Sequence, residues 1–399
     1  MTRFRTLDDL GDVRGRRVLV RVDYNLPISG GKVGDATRIE RSLATIKDLK
    51  VRGARIILLS HMGRPKGTPN PAYSLQQILS AAEDRIGPVS FTPDCIGSAA
   101  VDAAHALNDG DVLLLENLRF HKGEEANDPA FAKSLAASGE IFVNDAFSAA
   151  HRAHASTVGL AEILPAYAGR AMEAELSALS QALDNPVRPV MAFVGGAKIS
   201  TKLDLLENIT SQVDILVIGG AMANTFLAAQ GSPVGKSLCE HELGGTARSI
   251  LEQAKERKCE ILLPGDVVVA AEFKAGAPCR TIPVGQAQSD DMILDIGAAS
   301  VATIVERLSG VKTVVWNGPL GAFEIPPFDE GTVTAARAVA NATKVNGLIS
   351  VAGGGDTVAA LNHAGVGADF TYISTAGGAF LEWLEGKDLP GVSALTPKT

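Results

Sequence analysis

The chain has 399 residues, of which 46% are hydrophobic and 21% charged, and its formal net charge is -8. This length exceeds one ordinary core, so we expect two domains of about 150 to 200 residues. The acidic balance argues against a general polyanion-binding surface, so we expect no nucleic-acid partner. Apolar runs stop after about four to six residues, far short of a membrane span, so we expect no membrane association.

The N-terminus and the cysteines favour a cytoplasmic protein. The segment MTRFRTLDDL lacks the apolar run of a secretory signal. The four cysteines have neither CxxC spacing nor histidine partners in the sequence, so we expect reduced, mostly buried thiols; they are Cys95, Cys239, Cys259 and Cys279.

Short β-rich runs alternate with stretches of helical periodicity along the whole chain. Predicted strands lie at 17–23, 55–60, 89–92, 112–116 and 141–144, then at 189–194, 215–219, 260–263, 313–316, 348–352 and 371–374. Predicted helices include 40–51, 74–84, 201–212, 246–257 and 332–344. Most of the strands are apolar throughout, which is typical of strands covered on both faces. The βαβα order predicts parallel sheets with right-handed crossovers.

The run AMEAELSALSQALDNPVRP predicts a connecting helix that stops at Asn185-Pro186. We therefore predict an α/β protein of two doubly wound, parallel-sheet (Rossmann-like) domains joined by a helical hinge. The predicted boundaries are 1–170 for the first domain, 171–185 for the connecting helix and 186–387 for the second domain.

Six basic residues of the first half each follow a predicted strand, although the chain is acidic. They are Arg21, Arg38, His61, Arg64, Arg119 and Arg152. The ligand crevice of a parallel α/β sheet lies outside the carboxyl ends of its strands. Guanidinium groups there fit carboxylate or phosphate oxygens in pairs, so the pattern predicts a local anion site.

Three motifs carry these residues, and each has a second interpretation. In RVDYNLP the strand period places Arg21, Asp23 and Asn25 on one side, as a ligand site or a structural Arg–Asp pair. In SHMGRP, Gly63 permits a close turn from which His61 and Arg64 would point outward, or Arg64 is simply solvated.

In NDAFSAAHRAHAS we expect Asp145, His151, Arg152 and His154 to lie close together. Two histidines at this spacing could ligate a metal, but no His/Cys/Glu set completes a site. Anion binding by Arg152 with structural histidines is therefore favoured.

Glycine turns before helices mark the second half. VGGAKISTKLDLL places Lys198 and Lys202 one turn apart after a strand and two glycines, as a phosphate site or a surface lysine pair. WNGPLGAFE offers Asn317 and Glu324 for polar contacts. GGGDT leads into Asp356 and Thr357, where phosphate and Mg²⁺ could bind or where Asp356 is a plain helix cap. Neither the Walker A spacing nor GxGxxG occurs, which disfavours a dinucleotide fold.

Taken together, these motifs resemble the phosphoglycerate kinase family over essentially the whole chain. RVDYNLP, SHMGRP, LLENLRF, NDAFSAAHRAH, GGAKISTK, WNGPLGAFE, GGGDT and STAGGAFLEWLEGK occur in the family's order and spacing. The resemblance implies reversible transfer between 1,3-bisphosphoglycerate and MgADP, giving 3-phosphoglycerate and MgATP, in a monomer. It also implies that a tail, 388–399, packs back on the first domain.

The resemblance further implies a set of site residues. The phosphoglycerate would be bound by Arg21, Asp23, Asn25, Arg38, His61, Met62, Gly63, Arg64, Arg119 and Arg152. The nucleotide would be bound by Lys198, Lys202, Asn317, Glu324, Gly354, Gly355, Asp356 and Thr357, with Asp356 also holding Mg²⁺. Arg38 and Lys198 would be catalytic, because they would stabilise the phosphoryl group in transfer.

The chain departs from the family's usual residues at four positions. Ser148 and Ala149 stand where Gly-Thr is frequent, Ala376 where Gly is frequent, and Tyr24 where Phe is usual. Two other classes of protein would share the strand pattern. A hinge-bending solute-binding protein would usually be exported, and an NAD-dependent dehydrogenase should carry GxGxxG.

Overall fold

A computed structural model describes residues 4–397 and divides the chain into two compact units. Unit 1 runs up to Leu176 and resumes at Asp388, and unit 2 covers Ser177–Lys387. Over the described residues, no helix is both long and apolar enough to cross a membrane.

Unit 1 contains a six-stranded parallel sheet and a short antiparallel hairpin. Its strands are β1 (Arg17–Arg21), β2 (Ile28–Ser29), β3 (Lys32–Val33), β4 (Arg55–Leu59), β5 (Ser90–Thr92), β6 (Val112–Leu115), β7 (Ile141–Asn144) and β8 (Ala166–Ala168). The sheet order is β5-β6-β4-β1-β7-β8, and β2 and β3 form a separate two-stranded sheet. The chain changes direction across the sheet between β1 and β7. The loops after these strands therefore flank the crevice in which doubly wound sheets bind ligands.

Along the chain the strands of this sheet alternate with helices, the last of which extends into unit 2. These helices are α1 (Thr37–Val51), α2 (Leu79–Ile86), α3 (Gly97–His105), α4 (Lys122–Glu125), α5 (Pro129–Ala136), α6 (Leu160–Ile163) and α7 (Arg170–Leu179). Helix α1 shows why they pack there: Ile39, Ile46 and Leu49 recur at helical spacing and are buried in one cluster with the sheet residues Val18 and Val20.

Helix α7 accounts for most of the predicted connecting segment. The Asp145 carboxylate accepts hydrogen bonds from the amides of Ala171 and Met172 at 2.9 and 3.2 Å, which caps its first turn. Beyond Leu179 the helix continues as a π-helical turn over Ser180–Asp184. The boundary between the two compact units falls within α7.

Unit 2 contains a second six-stranded parallel sheet and a three-stranded antiparallel sheet. Its strands are β9 (Val190–Val194), β10 (Ile215–Ile218), β11 (Glu260–Leu262), β12 (Asp266–Ala270), β13 (Cys279–Pro283), β14 (Met292–Ile296), β15 (Thr313–Asn317), β16 (Ile349–Gly353) and β17 (Tyr372–Ser374). The orders are β11-β10-β9-β15-β16-β17 and β13-β12-β14. The direction of winding reverses between β9 and β15, so their following loops mark the ligand crevice of this unit.

Helices α8 to α14 flank the sheets of unit 2. They are α8 (Leu203–Ile209), α9 (Gly220–Ala229), α10 (Gly244–Glu256), α11 (Ala298–Leu308), α12 (Glu330–Asn346), α13 (Gly355–His363) and α14 (Gly377–Leu384). The short helix α15 (Pro390–Ser393) belongs to unit 1: the Gly391 amide donates to the Ala150 carbonyl at 2.8 Å.

The predicted fold class is confirmed, since both main sheets are parallel and covered by helices. Every predicted strand is present within two residues at each end. The predictions missed the β2–β3 hairpin, β8 and the antiparallel sheet of β12, β13 and β14. Strand β13 is mostly exposed, and its sequence CRTIP contains no apolar run to reveal it.

Candidate active site

The loop after β1 gathers polar groups around one carboxylate, that of Asp23. Arg38 lies 3.1 Å from Asp23 Oδ2 and donates to the Asn25 carbonyl at 2.8 Å. The Ser148 hydroxyl donates to Asp23 Oδ2 at 2.6 Å. Two expectations are wrong. Strand β1 ends at Arg21, so its alternation does not reach Asp23 or Asn25, and Arg38 lies in the first turn of α1 rather than at a strand end.

Arg21 and His61 form a buried pair behind this loop. Arg21 is 1% exposed, and its guanidinium donates to His61 Nδ1 at 2.9 Å, to Ser156 Oγ at 2.9 Å and to the Val22 carbonyl. The expectation that His61 points outward from its turn is wrong, because the residue is only 8% exposed. Burial lowers the pKa of His61 well below its usual value, and the charges of Arg21 and Arg119 lower it further. A guanidinium can only donate, so Nδ1 accepts and the ring carries its proton on Nε2.

Asn117, which the sequence interpretation did not single out, joins two of the predicted motifs. Its side-chain oxygen accepts from the amides of Met62 and Arg119, and its nitrogen donates to the Met62 carbonyl at 2.7 Å. Arg119 in turn donates to the Gly63 carbonyl at 2.9 Å. Gly63 has φ +60°. A Cβ there would lie 2.3 Å from the Tyr73 ring, so this turn requires glycine.

The basic side chains of unit 1 lie near enough to one another for their charges to interact. Arg64 and Arg152 are exposed, and Arg152 Nε donates to His151 Nε2 at 3.1 Å. Burial lowers the pKa of Arg119; Glu125 and Glu124 raise it, and the charges of Arg152 and Arg64 lower it. Like charges gathered this closely favour an anionic ligand. We call Arg38, His61, Arg64, Arg119 and Arg152 the basic site.

The predicted grouping of Asp145 with the residues of the HRAH segment is wrong. Asp145 turns to the start of α7. Burial raises the pKa of Asp145 to about 7. His154 lies instead beside Glu124, with Nδ1 at 3.7 Å from Oε1. Because burial lowers the pKa of His154 to about 4, this ring is neutral near pH 7.

In unit 2 the glycine turns after β9 and β15 interlock. The Gly195 amide donates to the Asn317 carbonyl at 3.0 Å. A Cβ on Gly195 would lie 1.9 Å from the Pro319 carbonyl oxygen, and one on Gly318 would lie 2.1 Å from the Gly195 carbonyl oxygen. Neither position accepts a larger residue, because the backbones of the two turns pack directly against each other.

Lys202 spans these two turns. Its Nζ donates to the Gly195 carbonyl at 2.7 Å, to Asn317 Oδ1 at 2.5 Å and to the Asn317 carbonyl at 3.2 Å. All three donors of the ammonium group are therefore in use. Burial lowers the pKa of Lys202 to about 8, and the charge of Asp356 opposes that effect. Lys198, by contrast, is exposed.

The third glycine turn, after β16, opens helix α13. Gly354 has φ +98°, and a Cβ there would lie 2.9 Å from Asn317 Nδ2, which itself donates to the Gly353 carbonyl at 3.0 Å. Thr357 is buried, and its hydroxyl accepts from the Gly318 amide at 2.7 Å. Gly355 and Asp356 remain exposed at the helix N-terminus. We call Gly195–Lys202, Asn317–Gly318 and Gly354–Thr357 the glycine site.

A cavity of about 510 Å³ adjoins the glycine site in unit 2. Its lining is mainly apolar and includes Phe273, Leu294 and Leu320. Glu324 and Asp356 contribute carboxylates, and Gly196 contributes backbone. An apolar cavity with a few polar groups suits a small organic ligand.

Three departures from the family's usual residues are structurally accommodated. The Tyr24 hydroxyl lies 2.8 Å from Ser42 Oγ, so it has a buried partner. Ser148 bonds Asp23, as described above. Ala376 has φ -95°, a conformation that does not require glycine.

The cysteines depart from expectation in two respects. Cys279 is exposed and Cys239 partly exposed, and Cys239 Sγ lies 3.6 Å from His241 Nδ1. The side chains of Asp94, Cys95 and His121 also place potential ligand atoms within 4.8 Å of one another. Asp94 Oδ1 already accepts from His121 and from the Cys95 amide, and burial raises the pKa of Cys95, so this cluster is interpreted as structural.

Comparison with known proteins gives one consistent result. The family model described as "Phosphoglycerate kinase" matches residues 7–387. The chain is 64% identical to the phosphoglycerate kinase of Methylorubrum extorquens (strain PA1) over 396 residues, which is 99% of each chain. It is 63% identical to that of Methylorubrum populi over the full length of both.

Solved structures agree. The phosphoglycerate kinase of Coxiella burnetii matches with a TM-score of 0.92 and 41% identity over 99% of each chain. That of Pyrococcus horikoshii OT3 matches with a TM-score of 0.78 and 29% identity over 98% of each. The chain is a kinase and belongs to the phosphoglycerate kinase family.

Proposed function

We propose that this enzyme catalyses the reversible phosphoryl transfer between 1,3-bisphosphoglycerate and MgADP, giving 3-phosphoglycerate and MgATP. The observation that carries the proposal is the basic site of a chain that is acidic overall: the charges of Arg38 and Arg119 act on His61, and those of Arg64 and Arg152 act on Arg119. The glycine site supplies the complementary chemistry, because open backbone at a helix N-terminus suits phosphate.

Within the basic site the residues divide into donors and supports. Arg38, Arg64, Arg119 and Arg152 would pair with the carboxylate and phosphate oxygens, and neutral His61 would donate from Nε2. Asp23 and Asn25 would hold Arg38 and the Gly63 turn, which the hydrogen bond from the Gly63 amide to Asn25 Oδ1 at 2.9 Å supports. Arg21 would act behind the site, since it is buried and its Nε and both terminal nitrogens already donate within the protein. Met62 and Gly63 would contribute through backbone.

Within unit 2 we propose that the 510 Å³ cavity takes the nucleoside, with Glu324 at the ribose. Gly354, Gly355 and Thr357 would shape the turn that receives the phosphates, and Asn317 would keep it attached to Lys202. Lys202 would contribute positive charge, and it would have to exchange one of its three hydrogen bonds to touch a phosphate directly.

The donor set at α13 fits Mg²⁺. Asp356 is an exposed carboxylate at a helix N-terminus beside open glycine backbone. Mg²⁺ typically takes one or two protein carboxylates together with substrate phosphates and water. Bound there, the ion would neutralise charge on the nucleotide phosphates; Asp356 would hold it.

The chemistry needs positioning and charge stabilisation more than proton transfer. The attacking carboxylate of 3-phosphoglycerate is already ionised, so the reaction requires no general base. Arg38 and Lys198 would stabilise the equatorial oxygens of a loose transition state. We propose that bending at the helical segment 171–185 brings the domains 1–170 and 186–387 together and excludes water, while the tail 388–399 stays with the first domain.

A coupled assay tests the function. We expect luminescent detection of ATP when 1,3-bisphosphoglycerate, ADP and Mg²⁺ are supplied together, and none when any one is omitted. Binding without turnover would favour a solute-binding protein, and activity dependent on NAD would favour a dehydrogenase; either result would refute the proposal.

We also propose that the enzyme is a monomer, because each proposed site is built from one chain, and sedimentation analysis at assay concentrations would check this.

A further inference from the structure

A buried acid lies behind the basic site, and the proposed reaction does not use it. Glu124, in α4, is fully buried. Its Oε1 accepts from the Ser156 hydroxyl at 2.6 Å, and its Oε2 accepts from the Ser156 amide at 3.0 Å. An ionisable group this deep needs partners, and Ser156 provides two hydrogen bonds to it.

The direction of every hydrogen bond in this network follows from the chemistry of the donors. Arg21 Nε can only donate, so Ser156 Oγ accepts at 2.9 Å and must turn its own proton to Glu124. Arg21 also donates to His61 Nδ1 at 2.9 Å. The network therefore runs without ambiguity from Glu124 through Ser156 and Arg21 to His61.

We propose that Glu124 is a positioning residue for the basic site: through Ser156 it fixes Arg21, which holds the proton of His61 on Nε2. In this arrangement the imidazole presents a neutral N–H donor to the phosphoglycerate ligand. If Arg21 were released, Nδ1 could take the proton and Nε2 would become an acceptor, which repels an anion. This proposal rests on the proposed function only for the identity of that ligand.

The charges around His61 also keep it neutral. Arg21 from β1, Arg38 from α1, Arg119 from the turn after β6 and neutral His154 face it. Burial and these positive charges lower the pKa of His61 well below its usual value, so the ring does not gain a second proton near neutral pH. Its function as a donor therefore depends on the tautomer.

Nitrogen-15 NMR of labelled histidines tests this directly. In the wild-type enzyme we expect the His61 ring to show the Nε2–H pattern unchanged between pH 6 and 8, with His61→Gln used to assign the signal. A wild-type His61 that shows the Nδ1–H pattern, or that titrates in this range, would overturn the proposal.

Two variants then interrupt the network at different points. Glu124→Gln removes the charge at nearly constant volume, and Ser156→Ala removes the connecting hydroxyl while leaving the carboxylate. In each we expect a mixture of His61 tautomers and a KM for 3-phosphoglycerate raised about tenfold, with KM for ATP and kcat within about twofold. Glu83→Gln, at an exposed position of α2, and Ser134→Ala, at a partly exposed position of α5, are the matched controls and should behave as wild type.

The outcomes separate this proposal from the proposed function. A single Nε2–H pattern in both variants contradicts it whatever the kinetics, and so does a lost pattern with an unchanged KM for 3-phosphoglycerate. Should Glu124→Gln fail to fold, the spectra of Ser156→Ala and of the wild type would still test the proposal. If the wild-type chain lacked kinase turnover, the proposed function would fail, while the NMR comparison would still test the role of Glu124.

Discussion

Lys202 makes nucleotide binding sensitive to alkaline pH. Its ammonium group bridges the Gly195 and Asn317 turns through three hydrogen bonds, yet burial lowers its pKa to about 8. Above this pH the unliganded enzyme is increasingly neutral at Lys202. A bound polyphosphate favours the charged form, so binding MgADP takes up a proton and weakens as pH rises.

The size of the effect follows from the pKa. With a value near 8, the charged fraction falls from roughly nine-tenths at pH 7 to roughly one-tenth at pH 9. If MgADP binds the charged form, Kd should rise about tenfold across this range, and close to half a proton should be taken up per nucleotide at pH 8.

Isothermal titration calorimetry in two buffers of different ionisation enthalpy measures both quantities. Lys202→Met should bind MgADP more weakly but with a Kd independent of pH over this range. Lys255→Met, which removes an exposed lysine from the last turn of α10, is the matched control and should titrate like the wild type. Equal proton uptake in the wild type and Lys202→Met would refute the reasoning.

Three further predictions follow from other residues. Arg38→Ala should lower kcat at least about a hundredfold in the coupled assay, because it removes a preorganised donor to the transferring group; a near-normal kcat would exclude this role. Gly63→Ala should destabilise unit 1 by about 2–4 kcal/mol in calorimetric unfolding, since φ +60° and the Tyr73 ring both oppose a Cβ; an unchanged transition would show that the turn relaxes freely. Asp295→Asn should remove a pH dependence from the stability of unit 2. Burial raises the pKa of Asp295 to about 7, so folding favours the protonated form of this carboxyl. The free energy of unfolding of the wild type should therefore fall by about 3 kcal/mol from pH 5 to pH 8. Both tryptophans, Trp316 and Trp383, lie in unit 2, so urea unfolding followed by fluorescence measures that loss, and an equal fall in the variant would contradict it.

Matched variants control these measurements. Arg55→Ala removes an arginine at the start of β4, paired only with Asp109 in the described structure, and should leave kcat unchanged. Gly11→Ala adds a Cβ where the structure has open space, so it should leave the unfolding of unit 1 nearly unchanged. Asp290→Asn, at an exposed carboxyl, should retain the wild-type slope of stability with pH.

The sequence was sufficient to predict the two parallel sheets and the glycine turns that follow several of their strands. Apolar strands followed by glycine identify the turns after β9 and β16, because glycine permits the close backbone turn that a buried strand needs where it leaves the sheet. The burial of Arg21 could not be predicted in this way, since its partner Ser156 lies 135 residues away in the sequence. Arg21 looks like Arg64 in the sequence, yet the first is buried in the core and the second is exposed.

The same limit applies to Asn117 and Asp145. Asn117 follows β6 as an ordinary polar residue, and only the tertiary fold shows that it joins the Met62 turn, 55 residues away. Asp145 stands among the basic residues of the HRAH segment in the sequence, but its carboxylate is used to cap α7. Long-range polar pairing has no period that a sequence pattern could reveal.

The packing of the C-terminal segment in unit 1 has a consequence for biosynthesis. The Arg5 amide donates to the Leu395 carbonyl at 3.3 Å, and Gly391 bonds both Ala150 and Asn144, so a segment that follows unit 2 in the sequence completes unit 1. All of unit 2 therefore emerges from the ribosome before unit 1 can close. Unit 1 therefore cannot complete its packing until unit 2 has been translated, and a chain that lacked the segment from Asp388 onward would lose the hydrogen bonds from Gly391 to Ala150 and from Asn144 to Gly391.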